Sequence, residues 1–231
     1  MRPRNVTSMA MLDASHREEQ GMRKSPVLVS AMAAGIIAVT ASVAHASSSA
    51  PPPPPDETAA RAHLAALVVE PEGSMDGYSR TKFPHWVTIS GECNTRETVL
   101  QRDGEGVEVD AKCAATAGRW YSPYDGAIWT LASDLDIDHM VPLAQAWRSG
   151  ANTWTTAQRR KFANDLESSQ LWAVTDNVNQ AKGDKDPAQW LPPLGSFRCT
   201  YARSWIDVKY RYGLSADAAE KAALGRLLDA C

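Results

Sequence analysis

The spacing of apolar residues predicts short helices and short strands in mixed order along most of this chain. Apolar residues recur at helical intervals in segments that predict helices over 58–69, 155–166, 200–212 and 216–228. Alternating polarity, or a short apolar run, predicts strands over 107–113, 118–121, 128–131 and 171–174. Capping residues and local apolar spacing predict shorter helices over 94–102, 143–147 and 176–180. Residues 71–92 contain three glycines and are expected to be irregular. The mixture indicates an α+β domain.

Residues 1–46 have the features of a secretory signal peptide preceded by an extension. Two basic residues at 23–24 precede the apolar run 27–43, and residues 44–46 fit the small-x-small cleavage rule. Met22 is the expected true start of the signal. A permanent membrane span is the weaker alternative, because the run is short, rich in alanine and interrupted by a glycine. We therefore expect a secreted, extracellular protein with no membrane association after the signal is removed.

The remaining chain is predicted to be a linker over 47–55 and a folded domain over 56–231. The linker is rich in Ser and Ala and ends in five consecutive prolines. The chain has 24 Lys and Arg against 27 Asp and Glu, a net charge of -3. Residues 1–46 hold five basic and three acidic residues, so their removal leaves a net charge of -5. A mildly acidic domain does not attract nucleic acid through its overall field, so such binding requires a local basic patch and a bound metal.

The four cysteines predict a disulfide-stabilised domain, because an even number in an exported chain is typical of disulfides. No C-x-x-C pair is present, which argues against a structural zinc site. Three pairings are possible, and we favour Cys93–Cys113 with Cys199–Cys231 because these close the shortest local loops. Four buried thiols are the alternative.

Two polar clusters carry the candidate chemistry. The first, over 136–143, places two carboxylates and an imidazole within four residues and is followed by an apolar run. The second lies about forty residues later, over 177–187. His139 suits a general base, because imidazole exchanges protons near neutral pH. Asp138 and an Asn amide offer oxygen ligands, which favour Mg²⁺ or Mn²⁺ over zinc.

The two clusters together resemble a known family. Asp136 to Leu143 reads D-x-D-H-x-V-P-L, and Asn179 to Pro192 reads N-x-x-K-G-D-x-D-P-A-x-W-L-P. With G-A-x-x-W at 150–154, F-A-N-D-L at 162–166 and C-x-Y at 199–201, this pattern resembles the secreted actinobacterial HNH, or ββα-metal, endonucleases that carry a DHxVPL motif. The similarity extends over most of residues 78–231. It implies an HNH-like ββα-metal core with surrounding helices, in which the strand ending at His139 pairs with the strand over 171–174.

The resemblance also implies roles for individual residues. Asp138 and Asn179 would be the metal ligands, His139 the catalytic base, and Lys182 a contact to a substrate phosphate. Arg96 is a second, weaker expectation for a phosphate contact. The third position of the HNH pattern has no histidine here, so Lys182 or a water must replace that residue. The implied function is metal-dependent hydrolysis of DNA, possibly of RNA as well, by a monomer without sequence preference.

Each of these residues also has a structural interpretation. Asp138 and Asp136 could be turn residues, His139 a structural histidine, and Asn179 a helix cap. Lys182 and the basic run 159–161 could be solvated surface charges. Three tryptophans are expected in the core rather than as platforms for bases, namely Trp172, Trp190 and Trp205.

Two other classes of function fit the sequence less well. One is a non-catalytic exported domain that binds Ca²⁺ through the same acidic site. The other is an exported hydrolase of another polymer, which lacks support because neither a pair of catalytic carboxylates in separate segments nor a G-x-S-x-G motif is evident. If His139 is the base with an ordinary pKa, activity should fall below about pH 6.

Overall fold

The computed structural model describes residues 50–231, and the expected signal peptide lies outside them. The helices within this range are α1 (Glu57–Ala66), α2 (Thr95–Asp103), α3 (Leu143–Arg148), α4 (Thr156–Ala163), α5 (Asp176–Lys182), α6 (Arg198–Tyr212) and α7 (Ala218–Asp229). The strands are β1 (Thr88–Ser90), β2 (Cys93–Asn94), β3 (Gly104–Val109), β4 (Ala115–Tyr121), β5 (Ile128–Trp129), β6 (Leu135–His139) and β7 (Leu171–Thr175). Mixed helices and strands are therefore confirmed.

The strands form three small antiparallel sheets, β1–β2, β3–β4–β5 and β6–β7. Sheet β6–β7 is central to the site. Asp136 pairs with Val174, Asp138 with Trp172 and His139 with Leu171. Helix α5 begins directly after β7 and packs on both strands. The order is therefore strand, strand, helix, with α3 and α4 inserted between the strands.

One difference from the predicted elements lies at β3. The prediction placed a strand over 107–113, but β3 begins at Gly104 and ends at Val109. A shift in register interrupts the β3–β4 pairing between Glu105 and Glu108, where Gly106 has a φ of 59°. A glycine adopts this left-handed conformation without the steric cost of a Cβ atom, which allows the bulge. The glycine-rich residues 104–106 therefore belong to the strand.

The core lies between sheet β6–β7 and the surrounding helices. Trp172 and Trp205 are buried, and the partly buried Trp190 packs against the same cluster. The expectation that these tryptophans belong to the core is confirmed. The segment 71–92, which was predicted to be irregular, contains the short strand β1 and is held to the core by Phe83, which is fully buried.

The domain contains the disulfides Cys93–Cys113 and Cys199–Cys231, which confirms the favoured pairing. Cys93–Cys113 joins β2 to the loop after β3, with 5.1 Å between the Cα atoms. Cys199–Cys231 joins the start of α6 to the end of the chain, with 5.7 Å between the Cα atoms. Each crosslink lowers the entropy of the unfolded chain. In the loop-closure description this raises the free energy of unfolding by roughly 3 kcal/mol.

The proline-rich segment contacts the domain. Pro51 is buried. The hydroxyl of Ser169 donates to the carbonyl of Pro52 at 2.8 Å, and the Arg203 guanidinium lies 3.5 Å from the carbonyl of Pro55. Helix α1 follows, capped by the Asp56 side chain. None of the helices between residues 50 and 231 has the length and apolar character needed to cross a bilayer.

Candidate functional site

A pocket of about 240 Å³ lies where the end of β6 meets helix α5. Its lining includes three of the residues expected in the site, Asp138, His139 and Asn179. Arg80 and Asp184 also line it. The polypeptide thus brings together at one pocket two clusters that are separated by about forty residues in the sequence.

The position of Asp138 is fixed by two neighbouring side chains. The ammonium of Lys182 donates to both carboxylate oxygens, at 2.9 and 2.7 Å, and the hydroxyl of Tyr124 donates to Oδ2 at 2.5 Å. Burial raises the pKa of Tyr124, and the adjacent Asp138 raises it further, so the phenol stays protonated and donates. Asp138 is therefore held in one orientation at the edge of the pocket.

Lys182 is a buried partner of Asp138 rather than a surface cation. Its side chain is 0% exposed, and its third hydrogen bond goes to the backbone carbonyl of His139 at 2.8 Å. Burial lowers the pKa of Lys182 and raises that of Asp138, while their attraction opposes both shifts. The expectation that Lys182 contacts a substrate phosphate is therefore corrected. An ammonium with three protein acceptors and no exposed surface has no donor left for a substrate.

His139 is buried and has one defined polar partner. Its Nε2 lies 2.9 Å from the carbonyl oxygen of Ala163, at the end of α4. Because a carbonyl only accepts, Nε2 carries the proton and Nδ1 is the basic nitrogen of the neutral ring. The ring stacks on Trp86, with centroids 5.2 Å apart and planes 6° apart. The imidazole is therefore oriented from two sides.

Burial lowers the pKa of His139 from 6.5 to about 3, opposed by the hydrogen bond to Ala163. The sequence-based expectation that activity falls below about pH 6 assumed an ordinary histidine. With the lowered pKa the imidazole stays neutral well below pH 6, so protonation of His139 no longer predicts a loss of activity near that pH.

The same shift predicts a loss of stability in acid. The unfolded chain binds a proton at His139 below about pH 6.5, whereas the folded chain does so only near pH 3. The neutral imidazole of His139 therefore makes its full contribution to the free energy of unfolding above pH 6.5. That contribution is lost as the pH falls toward 3, by at most about 1.4 kcal/mol per pH unit. Urea titrations of the wild type and of His139→Gln at a series of pH values should show a steeper acid loss in the wild type. Parallel curves would contradict this prediction.

Asn179 is connected to the other carboxylate of β6. Its Nδ2 donates to Oδ2 of Asp136 at 3.0 Å, so the amide oxygen is not used in this contact. Asp136 and Asp138 lie two residues apart on one face of β6, and Asn179 and Lys182 lie one turn apart on α5. Two side-chain contacts therefore join the strand to the helix, one between Asp136 and Asn179 and one between Asp138 and Lys182. Burial raises the pKa of Asp136, against the hydrogen bond from Asn179.

Arg96 is not part of the pocket lining. Its guanidinium donates to the backbone carbonyls of Ala132 and Leu135, both at 3.1 Å. These contacts tie α2 to the start of β6. The expected phosphate contact of Arg96 remains a prediction without structural support.

Two residues at the site have no signal in the sequence. Tyr124 lies in a segment that reads as a turn, 122–126, and its contact with Asp138 arises only in the folded chain. Arg80 lies in the segment predicted to be irregular, on a short 3₁₀ turn, Arg80–Lys82. Neither residue belongs to a motif that spacing could reveal.

The donor set at the pocket fits a hard divalent cation. Mg²⁺ is commonly held by one or two protein oxygens while waters and substrate phosphates complete its shell. Asp138 retains lone pairs beyond those used by Lys182 and Tyr124, and the amide oxygen of Asn179 accepts no hydrogen bond from the part of the chain that the structure describes. Elsewhere in residues 50–231, oxygens of Glu72, Asp186 and Asp217 lie within 4.8 Å of one another. Each of these carboxylates has a protein partner, since Glu72 pairs with Arg148, Asp186 accepts from the N–H of Ala188, and Asp217 caps α7.

The fold and the pocket define a disulfide-linked domain of mixed α and β structure, in which a carboxylate, an imidazole and an amide line one pocket. Residues 100–227 match the family described as GmrSD restriction endonucleases, C-terminal domain. That span covers more than half of the chain and includes Asp138, His139 and Asn179, so the chain belongs to this family.

A relative from the fungus Arthroderma benhamiae (strain ATCC MYA-4681 / CBS 112371), described as an uncharacterized secreted protein, is 64% identical over 172 residues. The alignment covers 74% of this chain and 84% of the relative. The expected secreted location is thereby confirmed. The actinobacterial HNH subgroup stays a prediction, because the relative is fungal. No solved structure matches the chain.

Proposed function

We propose that this protein is a secreted, metal-dependent endonuclease of the HNH type that hydrolyses phosphodiester bonds of DNA without sequence preference. RNA is the second polymer to test. The proposal rests on one observation above all, which is that Asp138, His139 and Asn179 line the same pocket although they come from β6 and α5. Membership of a restriction-endonuclease domain family supports the same conclusion.

His139 would act as the general base. Its Nδ1 takes a proton from a water molecule, and the water oxygen attacks phosphorus while the bond to the leaving oxygen breaks. The hydrogen bond from Nε2 to Ala163 orients the ring and stabilises the positive charge that it acquires. Trp86 and the surrounding burial keep the ring in place. A low pKa makes the imidazole a weaker base but keeps it unprotonated at neutral pH.

Asp138 and Asn179 would hold Mg²⁺ or Mn²⁺ through a carboxylate and an amide oxygen. When bound, such an ion neutralises charge on the phosphate and on the leaving oxygen. Lys182 and Tyr124 fix the carboxylate, and Asp136 fixes the amide. The buried ammonium of Lys182 reduces the negative charge that Asp138 presents, so binding of the metal should be tighter when a substrate phosphate supplies further oxygens.

The assay for this function is the nicking and linearisation of supercoiled plasmid by the purified, disulfide-bonded protein. Cleavage is expected with Mg²⁺ or Mn²⁺ and should stop when EDTA is added. Cleavage that persists in EDTA would remove the metal from the proposal. Absence of cleavage of DNA and RNA, together with tight Ca²⁺ binding, would favour the alternative of a non-catalytic Ca²⁺-binding domain.

A matched pair of amides on α5 tests the metal ligands. Asn179 lines the pocket, whereas Asn177 is exposed on the same helix. We expect Asn179→Ala to require at least tenfold more Mg²⁺ for half-maximal cleavage, because a ligand is lost. Asn177→Ala should leave the metal requirement unchanged. Equal behaviour of the two variants in a Mg²⁺ titration would exclude Asn179 as a ligand.

A further inference from the structure

One charged side chain of the pocket lining has no ion-pair partner among residues 50–231. Three residues of the lining carry formal charge, namely Arg80, Asp138 and Asp184. Asp138 pairs with Lys182 at 2.7 Å, and Asp184 pairs with Arg148 at 2.6 Å. Arg80 is therefore the charged residue of the lining whose side chain is not engaged by another of the described residues. One side of the pocket presents a guanidinium although the chain as a whole is acidic.

The backbone of Arg80 is held in place by its neighbours, whereas its side chain has no polar partner among residues 50–231. It lies on the turn Arg80–Lys82, and the side chain of Ser79 caps that turn. Phe83 anchors the end of this turn in the core, and Tyr78 packs against both Phe83 and Trp147. The guanidinium is exposed and makes no hydrogen bond or ion pair with any residue of the described range, 50–231.

The other cations near the pocket are already engaged. Lys182 is buried against Asp138, and Arg96 donates to two backbone carbonyls. Arg148 is shared between Glu72 and Asp184. A guanidinium presents paired donors that match two oxygens of a phosphate, so an unpaired one beside a carboxylate and an imidazole is suited to bind that group.

We propose that Arg80 is the residue that binds the substrate phosphate at this pocket, in the position that the sequence assigned to Lys182 or Arg96. This inference rests on the proposed nuclease function. It also places an exposed guanidinium at the pocket of an acidic domain, where a local contact acts although the overall field does not attract nucleic acid. A single contact of this kind recognises any phosphodiester and reads no base.

The test compares Arg80→Ala with Lys82→Ala. Lys82 is an exposed cation on the same turn, its ammonium lies over the ring of Trp147, and it does not line the pocket. In the His139→Gln background, binding of a short fluorescein-labelled DNA duplex is measured by anisotropy over a range of salt concentrations. We expect Arg80→Ala to weaken binding about tenfold to a hundredfold and to reduce the slope of log affinity against log salt by about one. Arg80→Lys should recover part of the affinity.

Cleavage assays on the active protein distinguish the proposed phosphate contact of Arg80 from the proposed nuclease function. If the wild type cleaves plasmid and Arg80→Ala lowers kcat/KM no more than Lys82→Ala does, the role of Arg80 is overturned and the nuclease function stands. If the wild type cleaves neither DNA nor RNA but binds duplex through Arg80, the phosphate contact stands and the nuclease function is overturned. Equal affinities of the Arg80 and Lys82 variants for the duplex would also exclude the proposal.

Discussion

Replacement of Lys182 by Met should lower the free energy of unfolding by about 3–5 kcal/mol, because it leaves a buried carboxylate without its partner. Lys182 is 0% exposed and donates to both oxygens of Asp138 and to the carbonyl of His139. Methionine fills similar volume but donates nothing, so the loss measures the unpaired charge rather than a cavity. Urea unfolding at pH 7 gives the difference directly.

Lys185 provides the control for this substitution. It follows α5, is exposed, and donates only to the carbonyl of Ala181. Lys185→Met should change stability by less than about 0.5 kcal/mol, as is usual for surface substitutions. The double variant Asp138→Asn with Lys182→Met should regain part of the lost stability, because no charge remains buried. A loss below about 1 kcal/mol for Lys182→Met alone would show that Lys182 does not hold Asp138 in this way.

Replacement of His139 should abolish most catalysis without unfolding the domain. Removal of a general base costs typically a hundredfold to ten-thousandfold in rate, and we expect His139→Gln to fall in that range at saturating Mg²⁺. Glutamine retains an N–H donor that can reach the carbonyl of Ala163, so the contact that orients the native ring can be kept while the base is lost. Plasmid cleavage measures the activity, and thermal unfolding monitors the fold.

His63→Gln is the control substitution for His139→Gln. It lies on α1, stacks on Tyr210, and does not line the pocket. His63→Gln should cleave plasmid at the wild-type rate. If His139→Gln retains more than about a tenth of the activity while its melting temperature is unchanged, His139 is a structural residue and the base must be sought elsewhere.

Much of the site could be predicted from the sequence because its chemistry is local. Asp138 and His139 are adjacent, and Asn179 follows a short apolar run that becomes β7. An imidazole beside a carboxylate indicates a base and an oxygen ligand through the chemistry of the side chains alone. The disulfide pairing was also predictable, since each bridge closes a short loop, with separations of 20 and 32 residues.

The roles of the cations could not be predicted in this way. The spacing N-x-x-K places Asn179 and Lys182 on one face of α5, but it does not say whether that face meets solvent or a carboxylate. Packing of α5 on β6 buries Lys182 against Asp138 and turns an expected phosphate contact into a support for the carboxylate. Arg80 lies in an irregular segment, and only the fold brings it to the pocket.

The sequence by itself therefore determined the candidate site residues, the mixture of helices and strands and the crosslinks, because each is encoded by neighbouring residues or by the period of apolar positions. Tertiary structure decided which charges are compensated. It paired Asp138 with Lys182 and Asp184 with Arg148, gave Arg80 no side-chain partner within residues 50–231, and lowered the pKa of His139 to about 3. The physical reason is that burial and long-range pairing depend on how separate elements pack, and no local pattern of residues records that packing.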